Sequence, residues 1–93
     1  MEERLPNVHF QRAAGDGNAV YAIEIDGERI NDLKDGRFTD TFVPKGVHTV
    51  RIFGGNAEEG TRVFKVTDER KKLHFFVRGL FGKIDIVLIG AKE

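Results

Sequence analysis

The residues able to do chemistry in this chain are few and scattered. Its three histidines are His9, His48 and His74. None stands at the spacing of a ligand pair such as His-x-His, or within a His-Glu-x-x-His pattern. Alternation puts His9 and His74 on outer faces of their strands and His48 on the side of Val50 and Ile52. We therefore expect two surface imidazoles and one strand-end imidazole bonded to backbone. Zinc asks for three or four convergent ligands, so no metal site is expected. Among the carboxylates, which also include Asp68 and Asp85, Asp26 and Asp35 are explained by turns and Asp32 by a polar hairpin segment. Asp40 alone shares a side with Phe38 and Phe42 by strict alternation, and a bulge or an edge position is expected to bring it to water. A facing carboxylate pair of the kind that hydrolyses glycosides is not expected.

Nucleophile chemistry fares no better. The chain has no cysteine and no serine, which removes disulfides, thiolate sites and both common nucleophiles. Gly15-Asp16-Gly17-Asn18 and Gly54-Gly55-Asn56 are glycine-rich, yet neither leads from a strand into the helix amino terminus that cradles phosphate. The residues read as non-enzymatic, with no cofactor.

What remains is surface. Glu69-Arg70-Lys71-Lys72 is the densest charged run and leads into His74, Phe76 and Arg78. Basic groups beside exposed aromatics can hold single-stranded nucleic acid. However, 15 basic residues balance 15 acidic ones, so no global field steers the chain toward a polyanion, and nucleic acid is not expected as a partner. Gly79-Leu80-Phe81-Gly82 is the more unusual feature, because it places two large apolar side chains in a tight turn. Either Leu80 and Phe81 fold back to plug the end of a small core, or they stand out as an anchor for another protein or a second copy.

The elements that must carry these residues repeat with period two. Val20–Ile25, Val47–Phe53, Arg62–Thr67, Leu73–Arg78 and Lys83–Ile89 alternate, and Val8–Gln11 and Arg37–Val43 do so more weakly. Side chains two apart share a face of a strand, so Tyr21, Ile23 and Ile25 go inward together, as do Phe75 and Val77. The same rule turns His74, Phe76 and Arg78 outward. Asp26-Gly27 and Asp35-Gly36 are the strongest local signals for tight hairpins. Only Asn56–Gly60 and Thr67–Lys72 could hold even a helical turn. About seven short strands with frequent turns predict an all-β fold, a sandwich or a barrel. Clean alternation with one buried and one wet face favours the antiparallel sandwich.

A resemblance runs from residue 21 to near residue 88, clearest over residues 21–52 and again at Lys72-Leu73-His74-Phe75-Phe76-Val77. Ile23-Glu24-Ile25-Asp26-Gly27 followed by Val43-Pro44-Lys45-Gly46-Val47-His48-Thr49-Val50 resembles the PEGA-type domain, an immunoglobulin-like β-sandwich of bacterial envelope proteins. Lys45 and Val47 stand where that motif has Glu and Ala, and Gly54-Gly55-Asn56 replaces its Gly-Tyr step. The resemblance implies a non-catalytic accessory or adhesive module.

At 93 residues the chain fits a single domain, with residues 1–18 as a first strand or a loose arm. No apolar run reaches the roughly 18–20 residues of a membrane-spanning helix. Read as a whole native chain it would be cytoplasmic, and read as an excised mature domain it would belong to the cell envelope or periplasm. The expectation is an interaction module that meets a protein partner or itself through Leu80, Phe81, His74, Phe76 and Arg78. The alternative is a carbohydrate- or envelope-polymer-binding domain. Such domains use exposed aromatic platforms, whereas this chain has no Trp and a single Tyr, Tyr21, which alternation buries.

Overall fold

A computed structural model describes residues 5–15, 17 and 19–92, with the side chains of residues 91 and 92 left aside. Asp16 and Asn18 of the first glycine-rich loop, and the start of the expected arm, lie outside the described residues. The described chain is all-β. Its strands are β1 (Val8–Arg12), β2 (Tyr21–Ile25), β3 (Glu28–Leu33), β4 (Phe38–Thr41), β5 (Gly46–Gly54), β6 (Ala57–Val66), β7 (Lys72–Leu80) and β8 (Lys83–Lys92). They hydrogen-bond in the order β3-β2-β5-β6-β8-β7-β1-β4.

This is one eight-stranded sheet bent almost into a barrel, where about seven strands in two antiparallel sheets were expected. Two features account for the difference. Glu28–Leu33 forms a strand although only Leu33 of its six residues is buried. An edge strand facing water on most positions carries no apolar alternation for the sequence to display. In addition, β1 runs parallel to β7, with His9 opposite His74 and Gln11 opposite Phe76, and β6 meets β8 in parallel at Glu58 and Lys83. The first pairing lies within β8-β7-β1-β4, and the Glu58–Lys83 bridge alone joins that half to β3-β2-β5-β6 in one order. At the far ends β3 and β4 approach each other, and there Asn31 Nδ2 donates to Thr39 Oγ1 at 2.7 Å. A side-chain clasp closes the barrel where a ladder is missing.

The core lies between the halves. Val8 and Phe10 of β1, Phe75 and Val77 of β7, and Ile84 and Ile86 of β8 meet Tyr21, Ile23, Ile25, Val50, Ile52, Phe64 and Val66. Phe75 stacks on Phe10 at 5.2 Å and takes the edge of Phe64 from the other half at 5.3 Å. The inward parity of β1 continues past Phe10 to Arg12, which is only 1% exposed. Its guanidinium lies 3.6 Å from the Tyr21 ring centroid and donates to the carbonyls of Leu33 at 3.0 Å and Ala19 at 2.5 Å. A cation paired with a ring face and carbonyl dipoles can be buried. The halves pack closely at Gly60, where a β-carbon would collide with the Ile84 carbonyl oxygen.

The turns follow their residues with exceptions. Gly54-Gly55-Asn56 and Gly60 mark a polar loop through Glu58 and Glu59 in the sequence, yet Gly55-Asn56 alone separates β5 from β6, so Glu58 and Glu59 belong to a strand. Neither Asn56–Gly60 nor Thr67–Lys72 forms a helical turn. Asp35-Gly36 does turn, with Arg37 N donating to the Lys34 carbonyl, but the strands it joins share no ladder.

Candidate functional site

Two places on the molecule hold the residues of interest. The first is the β7–β8 hairpin with the outer face of β4-β1-β7-β8. Its turn is Phe81-Gly82, between paired Leu80 and Lys83. Both turn residues have positive φ, 52° and 76°, as a two-residue hairpin that follows the sheet twist requires. Gly82 adopts this freely, whereas a bulky side chain in the left-handed region is strained. Phe81 is 99% exposed and Leu80 42% exposed. The plug alternative fails for Phe81, because its ring reaches no core. The other half reaches the hairpin end through the backbone, Glu58 N donating to the Gly82 carbonyl at 2.7 Å.

Behind the tip, the alternation of β7 points as expected. Phe75 and Val77 are buried, His74 and Phe76 half-buried and Arg78 exposed. The cross-strand register then assembles a surface that no single strand displays. His9 lies opposite His74, with ring centroids 5.2 Å apart, and stacks on Phe38 of β4 at 5.2 Å. Phe76 lies between Gln11 and Val87, and Arg78 meets Asp85 at 3.4 Å. Asp40 is on edge strand β4, where it accepts from His9 Nδ1 at 2.8 Å and pairs with Lys72 at 3.3 Å. Partial burial opposes its charge, yet the bonds from His9 and Lys72 outweigh that and hold its carboxyl below the ordinary range. The basic run is absorbed locally. Arg70 bonds Asp68, Lys72 bonds Asp40, and Glu69 caps the Lys45 amide.

The second place is a cleft of about 250 Å³ at one end of the β3–β4 seam. Sequence spacing concealed it, because its two chemical groups are Asp26 and His48, 22 residues apart. Asp26 begins the β2–β3 turn, and one of its oxygens accepts the Thr49 amide at 2.9 Å. The other accepts His48 Nδ1 at 2.6 Å, and His48 Nε2 reaches the Pro44 carbonyl at 2.7 Å. An ionised carboxylate and a carbonyl can only accept, so this geometry suits the protonated ring, with both nitrogens donating. Desolvation opposes that charge, but the bonds to Asp26 and Pro44 prevail and raise its pKa above the ordinary 6.5. The same bond, with that from Thr49, lowers Asp26. A His–Asp pair resembles a general-base dyad, but neither nitrogen of His48 is available to take a proton from a substrate. The pair ties the β2–β3 turn to the β4–β5 connection.

Among the described residues no three His, Asp or Glu side chains converge as a metal site, and no helix is long and apolar enough to cross a membrane. No protein-family model, no curated protein and no solved structure matches the chain.

Proposed function

We propose that the chain is a non-catalytic interaction module that holds a protein partner, another chain or a second copy, through the Leu80–Phe81 tip and the adjoining outer face with His74, Phe76 and Arg78. The PEGA-type resemblance of residues 21–52 agrees with such an accessory role. One observation carries the reading. The turns at Asp26-Gly27 and Phe81-Gly82 have nearly the same backbone, φ 54° and 82° against 52° and 76°. At the first the chain uses Asp, a residue that tolerates the left-handed region. At the second it places a phenyl ring that gains no burial and strains the backbone. Strain kept at an exposed aromatic is what a contact residue shows, since such rings concentrate binding energy once a partner covers them.

The test is a photo-reactive phenylalanine analogue at position 81, irradiated in the native host, with sedimentation velocity on the purified chain. A discrete covalent adduct with a protein, or with a second copy, is expected. A tip that yields no protein adduct in a correctly folded chain would refute the proposal.

A further inference from the structure

The seam between β3 and β4 is closed at one end and open at the other, for a reason visible in the chain. Thr41 is the last residue of β4, and two residues later Asn7 takes hold of the backbone. Its side chain donates to the Val43 carbonyl at 2.8 Å and accepts the Val43 amide at 2.7 Å. Pro44 comes next and has no N–H with which to extend a ladder. The first half of β3 is therefore left without a strand opposite it, and the cleft occupies that gap.

Its walls are apolar, formed by Ile25, Ile30, Phe42, Val43 and Pro44. Its polar members are Asp26, Glu28 and His48. Protonated His48, bonded to Asp26 at 2.6 Å, balances that carboxylate, and the Glu28 side chain makes no ion pair or hydrogen bond among the described residues. The cleft thus carries one net negative charge at the rim of an apolar hollow, with lone-pair capacity left on both carboxylates. We propose that this cleft binds an alkylammonium group, its hydrocarbon body against Ile30, Phe42 and Pro44 and its charged head between Glu28 and Asp26. A cleft of about 250 Å³ suits a short amine or one basic side chain. An anionic ligand would meet Glu28, and a neutral one would leave that carboxylate unanswered.

The experiment is amide NMR titration of the intact chain with n-butylammonium, with butan-1-ol as the neutral match of equal length, and with a blocked extended peptide carrying one lysine. Saturable shifts confined to Asp26–Ile30 and Val43–His48 are expected. The amine should bind about two- to fivefold more tightly than the alcohol, the range of one exposed ion pair. Glu28→Gln should erase that preference while leaving the alcohol unchanged and the spectrum folded. If the peptide binds more tightly than the free amine, the source is a partner's side chain; if more weakly, it is a small amine. Equal binding of amine and alcohol, shifts scattered over the surface, or a preference that survives Glu28→Gln would overturn the assignment.

Discussion

Replacing Phe81 with Asn separates the needs of the fold from those of the surface. A side chain with a β-carbon in the left-handed region costs about 1–2 kcal/mol, and Asn is several-fold better tolerated there than a bulky residue. At 99% exposure the phenyl ring contributes almost no apolar burial to lose. The variant also creates Asn-Gly, the preferred pair for this turn. We expect a gain of about 0.5–1.5 kcal/mol, the larger part of the strain. For 93 residues the unfolding entropy is about 0.2 kcal/mol/K, so the melting temperature should rise by about 2.5–7.5 °C. Differential scanning calorimetry measures this directly, and sedimentation velocity on the same samples reads association. Phe81→Asn should be the more stable protein and the poorer binder. A melting temperature lowered by several degrees would mean that the ring packs against the hairpin in solution, which would refute its exposure and its role as a free anchor.

The other predictions probe the seam and the core. Gly60→Ala should destabilise by about 1–3 kcal/mol in urea unfolding, because the new methyl meets the Ile84 carbonyl and the halves must separate; the same change at an open position would cost no such clash. Phe75→Ala should lose about 3–5 kcal/mol and register in both halves at once, since its ring touches Phe10 and Phe64. For pH, His48 is raised on folding, so its contribution is complete below its unfolded value of 6.5 and fades as pH rises through the higher folded value. Asp26 is lowered, so its contribution is complete above 3.8 and fades as pH falls through the folded value. The urea midpoint should therefore be highest between about pH 4 and 6.5 and decline on the alkaline side, and His48→Gln should flatten that alkaline decline.

Much of the fold was legible in the sequence, for one physical reason. Where a strand has one dry and one wet face, alternation reports the face directly, and it did so for Tyr21, Ile23 and Ile25, for Phe75 and Val77, and for the outward His74, Phe76 and Arg78. It failed where that condition fails. Glu28–Leu33 is wet on nearly every position and read as a hairpin segment. On β8 the alternation that buries Ile84 and Ile86 lapses at Leu88, 39% exposed, next to the bulge that offsets the ladder between His74 and Phe75. Arg12 keeps the inward parity of Val8 and Phe10, a signal that was present but overridden by residue type. The Asp26–His48 pair and the His9–Phe38 stack needed strand order, which local patterns do not contain. The parallel neighbours β1 and β7 are separated by most of the chain, and the single β6–β8 bridge at Glu58 and Lys83 turned an expected sandwich into one bent, nearly closed sheet.

The incomplete closure itself has a consequence for how the molecule avoids sticking to copies of itself. An open sheet exposes unpaired N–H and C=O groups on its two edges, and these recruit other strands. Here both edges, β3 and β4, face each other, so each shields part of the other. The Asn31–Thr39 bond fixes their spacing, while Glu28, Arg29 and Asp32 keep the exposed part of β3 charged. β4 is shorter still, four residues with Asp40 among them. Short, charged edges resist strand addition. Removing the clasp with Asn31→Val leaves those charges in place but lets the seam widen. Hydrogen exchange should then accelerate in β3 and β4 and stay unchanged in β5 and β6. Equal acceleration across the sheet would show that the seam is not an independent unit, and no acceleration would show that the clasp does not hold it.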